Sequence, residues 1–333
     1  MSYLQAFVTA LIQGVTELFP VSSLGHSVLV PAWIGGSWQT MVTQSSEASS
    51  ETSFYLAYIV ALHCATALAL LWYFRADWVR IIRGLVASLS RGLRERRVSA
   101  QGPDERLAWM IVIATIPVGL TGIALEHTFR TLFAKPAAAA VFLFVNGLIL
   151  LGGEWLRRTR PAASPSQDRE LASVAAVRPG VPGAHARQAG GGRQLDEIRA
   201  AAVSDARIAG LPYLDSLFIG LLQVAALFAG ISRSGVTMAG GLWRGLDHED
   251  AARFAFLLAT PPILAAGILK LPSLAGTAGA HIHGQVLLGV IVTGITAYLS
   301  VRFLVRWFTT RTLTPFAIYC LAFGALSIAR FAF

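Results

Sequence analysis

Charged side chains and cysteines are scarce in this chain of 333 residues. Only 14% of its residues are charged and only two are cysteines, whereas 55% are hydrophobic. So little charge excludes an ordinary soluble domain and indicates a membrane protein instead. Cys64 and Cys320 both lie in apolar stretches, so we interpret them as small buried residues and expect no disulfide.

Six stretches contain no Asp, Glu, Lys or Arg: Phe54–Phe74, Leu107–Leu125, Ala137–Gly153, Phe254–Leu269, Gln285–Val301 and Thr312–Ala329. Each is close to the roughly 20 residues that a helix needs to cross a hydrocarbon core about 30 Å thick. They predict six full transmembrane helices in an all-α polytopic membrane protein. The amino terminus has no basic segment before its apolar run and carries Glu17, so a cleaved signal peptide is not expected.

The arginines are unevenly distributed, and arginines in short loops favour the cytoplasmic side of a membrane. Residues 75–106 contain eight, residues 157–210 contain nine and residues 302–311 contain three, whereas residues 36–53 contain none. The three clusters are therefore placed in the cytoplasm. The formal net charge of +9 then reflects topology and attraction to anionic lipids, and a nucleic-acid partner is not expected.

Two further apolar regions, residues 3–36 and 211–246, are longer than one span and are interrupted by glycine and polar residues. Aligned without gaps, they match at Gln13 and Gln223, at Ser22 and Ser232, and at Gly25 and Gly235. A second similarity follows in the same order, between "IATIPVGLTG" (113–122) and "LATPPILAAG" (258–267). Together they favour an internal duplication.

The predicted organisation is a first membrane repeat over residues 1–156, a flexible cytoplasmic linker over 157–210 and a second membrane repeat over 211–333. Each repeat has one broken, re-entrant region followed by three spans. Three is an odd number, so the second repeat is inverted relative to the first. In such inverted-topology repeats, interrupted helices meet near the membrane midplane and form a site there.

An arginine in an apolar region needs a partner, and Arg233 in "GISRSG" has no acidic neighbour in sequence. One interpretation is a structural ion pair with Glu17 that holds the two broken regions together. The other is an anion site, because hydroxyls, backbone N–H groups and a guanidinium together suit a phosphate. The candidate phosphate-binding residues are Gly230, Ser232, Arg233, Ser234, Gly235 and Thr237.

The first broken region contains "ELFPVSSLGH", which supplies a carboxylate, two hydroxyls and an imidazole within ten residues. Combined with a phosphate site, these groups indicate phosphoryl-transfer chemistry. Ser23 is the first candidate for the nucleophile or for a water-positioning hydroxyl, with Ser22 second and His26 as the base. Arg233 would bind the phosphate.

The motifs "QGVTELFPVSSLGH" and "GISRSG" resemble the two signature motifs of the bacterial undecaprenyl-pyrophosphate phosphatase family, or BacA family. "FLLATPP" and "TPFAIY" are also similar, so the resemblance covers nearly the whole chain except the linker. The family's second motif usually opens with Pro-Gly, whereas here it opens with Ala229 and Gly230. A basic residue that commonly follows "PFAIY" is replaced by Cys320.

The resemblance implies hydrolysis of a C55 polyprenyl diphosphate to its monophosphate, which recycles the lipid carrier of cell-wall precursors. It also implies a divalent cation, Mg²⁺ or alternatively Ca²⁺, held by Glu17 and Gln13. The expected partners are the polyprenyl diphosphate and membrane lipids, and a homodimer is left open. The expected location is the bacterial cytoplasmic (inner) membrane, with a multi-pass topology and an active site that faces the periplasm.

Two alternatives stay open. Inverted repeats with broken helices are also found in transporter folds, so the chain could transport or flip a polyprenyl phosphate lipid. His63, in the middle of the first predicted span, could face the cavity, although a helix histidine with an ordinary hydrogen bond is the favoured interpretation.

Overall fold

The structure, a computed structural model, describes residues 1–47, 54–96, 100–125, 135–159, 192–274 and 282–331. Within these ranges the chain is entirely helical apart from its connections. The thirteen helices described are α1 (Tyr3–Thr16), α2 (Ser23–Ile34), α3 (Gly36–Glu47), α4 (Phe54–Tyr73), α5 (Arg75–Glu95), α6 (Pro103–Ala124), α7 (Pro136–Arg158), α8 (Gly192–Gly210), α9 (Tyr213–Ala225), α10 (Arg233–Trp243), α11 (His248–Leu274), α12 (His283–Trp307) and α13 (Thr314–Phe331).

Five of these helices are long and apolar enough to cross a membrane: α6, α7, the His248–Leu269 part of α11, α12 and α13. Two further spans would come from bent pairs, since α4 turns into α5 through 85° and α8 turns into α9 through 96°. All six charge-free stretches lie largely within helices. The chain is therefore an all-α, multi-pass membrane protein, as the sequence predicts.

The two predicted broken regions are interrupted helices. Helix α1 has 14 residues and α2 has 12, so neither is long enough to span a bilayer alone. Residues 17–22 separate them, and we call these residues the first loop. Residues 226–232 separate α9 from α10 in the same way and form the second loop. Both predicted interruptions are confirmed.

The helices of the two halves pack against each other in an exchanged pattern. Helix α1 packs on α12 as α9 packs on α6, while α4 packs on α11 and α7 packs on α13. A hydrogen bond from a side chain to a backbone carbonyl joins each of the first two pairs: Thr293 Oγ1 in α12 donates to the Ala10 carbonyl oxygen at 3.0 Å, and Gln223 Nε2 in α9 donates to that of Ala114 at 3.1 Å. This exchange is expected of two interlocked repeats.

The exchange corrects one sequence argument. It makes α6 equivalent to α12, whereas the similarity of residues 113–122 to residues 258–267 would make α6 equivalent to α11. Small residues recur in such helices because close packing favours them, and proline is also frequent in membrane helices, so a short match can arise without common position. The match between the two loop regions is the informative one.

The end of the predicted linker is also different from expectation. Residues 192–210 form α8, and its second half is fixed by ion pairs instead of being flexible. Asp205 contacts Arg253 at 2.8 Å, and Arg207 contacts Asp250 at 3.0 Å. The Gly- and Pro-rich composition before this helix hid its helical pattern. Residues 160–191 of the predicted linker lie outside the described residues.

Candidate active site

The tips of the two loops touch each other. Ser22 caps the start of α2, and its Oγ accepts hydrogen bonds from the backbone N–H of Gly25 at 3.2 Å and of Gly230 at 3.1 Å. A side chain at Gly25 would approach the Gly230 Cα to 2.9 Å, and Gly230 has a φ of 114°. Glycine is therefore needed at both tips, one for the close approach and one also for its backbone conformation.

This arrangement changes the roles expected of several residues. Ser22 accepts two backbone hydrogen bonds and joins the loops. The N–H of Gly235 donates to Ser232 Oγ at 3.1 Å, because Ser232 caps α10 as Ser22 caps α2. The N–H groups of Gly230 and Gly235, which we expected to bind phosphate, thus have protein acceptors.

Asn146 on α7 holds the two loops together from one side. Its Nδ2 donates to the Pro20 carbonyl oxygen at 3.0 Å, and its Oδ1 accepts from the backbone N–H of Ser232 at 2.9 Å. The side chain is fully buried. Asn146 was not among the residues predicted from sequence, although it is the only polar side chain in the stretch Ala137–Gly153.

Glu17 is the centre of a buried cluster in the first loop. Ser23 Oγ donates to Glu17 Oε2 in a short hydrogen bond, and Gln13 Nε2 donates to the same oxygen at 2.9 Å. Ser23 is the first residue of α2, so the positive end of that helix also faces the cluster. The structure therefore brings together the predicted nucleophile and both predicted metal ligands.

His63 on α4 completes this cluster. Its Nε2 lies 3.1 Å from Glu17 Oε2, and its Nδ1 lies 2.8 Å from the Ile59 carbonyl oxygen. The favoured interpretation, a histidine bonded to its own helix, is correct for Nδ1, whereas Nε2 contacts Glu17 in the first loop. The signal for the second contact was that His63 is the only histidine in the six charge-free stretches.

His26 faces away from Ser23. Its Nδ1 donates to the Ser22 carbonyl oxygen at 2.7 Å, and its Nε2 is hydrogen-bonded to the Tyr319 hydroxyl at 2.7 Å. The imidazole also stacks on the rings of Tyr319 and Phe323 in α13. In this arrangement the Ser23 hydroxyl donates its hydrogen bond to Glu17, whereas His26 connects α2 to α13.

Arg233, the first residue of α10, carries buried donors without acceptors. Its Nε and Nη1 have no hydrogen-bond partner among the described residues, and neither does Thr237 Oγ1 one turn further along. Within the same residues Arg233 and Glu17 form no direct ion pair, although their opposite charges interact through space. The Ser232 and Ser234 hydroxyls lie 3.4 and 3.3 Å from the Phe19 carbonyl oxygen.

The two loop regions thus carry buried donors without partners among the described residues and a hydroxyl that donates to a carboxylate. A buried guanidinium without an acceptor is costly in a membrane protein, and an anion removes that cost. Phosphate oxygens suit its planar fork of donors. Ser23, with its proton directed to a carboxylate, is the kind of nucleophile that phosphoryl transfer requires.

Comparison with known proteins places the chain in a family. A family model described as "Bacitracin resistance protein BacA" matches residues 6–326. The chain belongs to the BacA family. It is 57% identical to "Undecaprenyl-diphosphatase 2" of Frankia alni, over 100% of this chain and 98% of that protein. It is 53% identical to "Undecaprenyl-diphosphatase" of Mycolicibacterium paratuberculosis, over 98% of this chain and 97% of the relative.

Of the two departures from the BacA family motifs, one lies within the second loop and the other lies in α13 against the loop junction. Ala229 is buried just before Gly230 and takes the place of a proline. Cys320 Sγ lies 3.3 Å from Asn146 Nδ2 and 3.8 Å from the Pro20 carbonyl oxygen. In this BacA-family chain a small buried thiol therefore packs against the loop junction where a basic residue is common.

Proposed function

We propose that the chain hydrolyses undecaprenyl diphosphate to undecaprenyl phosphate and inorganic phosphate, and so recycles the lipid carrier of cell-wall precursors. The names of the relatives and membership of the BacA family support this activity. The observation that carries the proposal is the Ser23–Glu17 hydrogen bond, found in the same loop pair as the unpartnered donors of Arg233.

In the proposed mechanism Ser23 Oγ attacks the terminal phosphorus while Glu17 Oε2 takes the hydroxyl proton. The bond from phosphorus to the bridging oxygen breaks, and undecaprenyl phosphate leaves with the proton that Glu17 returns to its oxygen. Water then attacks the phosphoserine, Glu17 takes a proton from that water, and Ser23 regains its hydroxyl as inorganic phosphate leaves. Arg233 binds the non-bridging oxygens throughout.

The residues around Glu17 fit a divalent cation shared with the substrate. Gln13 Oε1 is a buried oxygen with no hydrogen-bond partner among the described residues, and it belongs to the side chain that contacts Glu17. The part of the chain that the structure describes contains no group of three or more acidic, His or Cys side chains for a metal. Mg²⁺ commonly uses one or two carboxylates together with substrate phosphates.

Gln13 and Glu17 would thus hold the ion, and the ion would neutralise charge on the diphosphate oxygens. Removal of divalent ions with EDTA is expected to lower phosphate release, and Mg²⁺ is expected to restore it better than Ca²⁺. Unchanged release in EDTA would contradict this role of Gln13 and Glu17.

The activity is tested by phosphate release from a prenyl diphosphate with protein purified in detergent. Ser23→Ala protein prepared in parallel is the control for contaminating phosphatases. Release by the unmodified protein alone is the expected result. If the two preparations release equal amounts while the unmodified protein moves polyprenyl phosphate across vesicle membranes, the chain is a transporter instead.

The proposed location is the bacterial cytoplasmic (inner) membrane, with the active site open to the periplasm. The support is charge: α5 carries Arg75, Arg80, Arg83, Arg91 and Arg94, whereas α3 carries no arginine. A homodimer also stays a proposal, which cross-linking in native membranes would test.

The side of the membrane can be read from single cysteines in a Cys64→Ala, Cys320→Ala background. Ser37 at the start of α3 and Ser90 on α5 are both exposed. Ser37→Cys is expected to react with an impermeant thiol reagent in intact cells, and Ser90→Cys only in inverted vesicles. The opposite result would place the first loop on the cytoplasmic side.

A further inference from the structure

His63 is held at both ends of its imidazole ring. The Ile59 carbonyl oxygen lies 2.8 Å from Nδ1, one turn earlier on the same helix, and Glu17 Oε2 lies 3.1 Å from Nε2. Both partners are acceptors, so both nitrogens donate. The backbone contact fixes the rotation of the ring, and Nε2 therefore has one direction, towards Glu17.

Glu17 depends on such contacts for its orientation. It directly follows the last residue of α1, so its side chain leaves the helix end into the first loop. Three neighbours from three helices converge on the same carboxylate oxygen: Gln13 in α1, Ser23 in α2 and His63 in α4. Of these neighbours, His63 alone lies in a helix that is not adjacent to the first loop.

Packing alone does not account for a histidine at this position. The His63 side chain is 16% exposed and lies within a charge-free stretch, where an apolar side chain would fill the space without the cost of burying polar nitrogens. That cost is offset when the polar group performs a task that an apolar group cannot perform.

We propose that His63 is a positioning residue for the phosphatase reaction, which holds Glu17 Oε2 where that oxygen accepts the Ser23 proton. The inference rests on the proposed function. His63 contacts neither Ser23 nor Arg233 among the hydrogen bonds and ion pairs of the described residues, so it acts through Glu17. Its loss should therefore reduce kcat and leave KM nearly unchanged.

A matched pair of amide variants separates the two contacts of the ring. In His63→Gln the amide nitrogen can reach the place of Nε2 and contact Glu17. In His63→Asn, which is one methylene shorter, it can reach only the place of Nδ1 and contact Ile59. We expect kcat to fall about 10- to 100-fold in His63→Asn but to stay within about threefold in His63→Gln, with KM within about twofold in both.

His283→Gln, at an exposed position at the start of α12, is the control for the substitution itself. Equal kcat values for the two His63 variants would overturn the proposal, and so would an effect on KM alone. If neither variant gives folded protein by thermal unfolding in detergent, His63 is a structural residue and the proposal is wrong. Absence of phosphate release by the unmodified protein would instead refute the proposed function itself.

Discussion

Arg233→Lys is expected to lower kcat/KM about 1,000-fold while the protein still folds and enters the membrane. Lysine keeps the positive charge but replaces a planar fork of donors with a single point of charge. The Arg233 Nε and Nη1 atoms are buried and have no acceptor in the described structure, so the fork is available to bind two phosphate oxygens at once.

The matched control is Arg244→Lys at the carboxyl end of the same helix, α10. Arg244 has partners of its own, since it contacts Asp215 at 3.3 Å and lies over the ring of Phe218. Its replacement is expected to change kcat/KM less than about threefold, as for a partly exposed ion pair away from the loops. Steady-state kinetics on both variants is the measurement. Equal and small effects would show that Arg233 is a structural cation.

The fold could be predicted from hydropathy because lipid imposes a simple rule on the backbone. A stretch without charge and of sufficient length must be helical, and each such stretch is largely helical here. The α4–α5 corner was not predictable in this way. Its 85° bend follows Phe74, where apolar sequence gives way to an amphipathic helix with five arginines, and hydropathy reports composition but no angle.

The residue types of the site were predictable, but their hydrogen-bond partners were not. Sequence proximity made His26 the expected base for Ser23, because they are three residues apart. Both lie in α2, however, and the helix directs the imidazole towards Tyr319 on α13. Glu17 lies before the turn, and the first loop folds it back onto Ser23. The first loop, and not the spacing along α2, therefore supplies the partner of Ser23.

Two adjacent serines show the same limit more sharply. Ser22 and Ser23 have the same chemistry, yet one is the cap of α2 and the other is its first residue. A cap side chain folds over the helix end to accept hydrogen bonds from backbone N–H groups, so its oxygen has a structural role. The match of Ser22 with Ser232, which also caps a helix, is the feature of the sequence that indicates this role.

Three side chains contact the residues of the two loop regions from helices that are far away in sequence. They are Asn146 in α7, His63 in α4 and Tyr319 in α13. No spacing rule connects a residue in a span to a loop more than 40 positions away. What the sequence does show is that each of the three is a polar side chain inside a charge-free stretch that is predicted to lie in the membrane. Such residues are candidates for function by default, because lipid penalises them unless they have a partner.

Ser23→Ala is expected to reduce kcat by at least about 10,000-fold and to lower the thermal unfolding temperature in detergent only by what its one buried hydrogen bond to Glu17 contributes. The missing hydroxyl is the proposed nucleophile, so no phosphoserine can form and catalysis falls to what binding alone provides. The loss of one methyl-sized polar atom at the first position of α2 removes no helix cap, because Ser22 supplies it. A brief reaction of the unmodified protein should yield a phosphoryl adduct on Ser23, detectable by mass spectrometry.

Ser22→Ala is the matched control, and it should show the opposite pattern. It leaves the N–H groups of Gly25 and Gly230 without their acceptor, which is expected to cost about 1–3 kcal/mol of stability and to lower the unfolding temperature. Its kcat should fall far less than that of Ser23→Ala, since Glu17 and Ser23 remain together. If Ser22→Ala protein is stable but inactive and no longer forms the phosphoryl adduct, then Ser22 is the nucleophile. If Ser23→Ala loses only about tenfold and no adduct forms on either serine, the hydroxyl positions water and the covalent step is wrong.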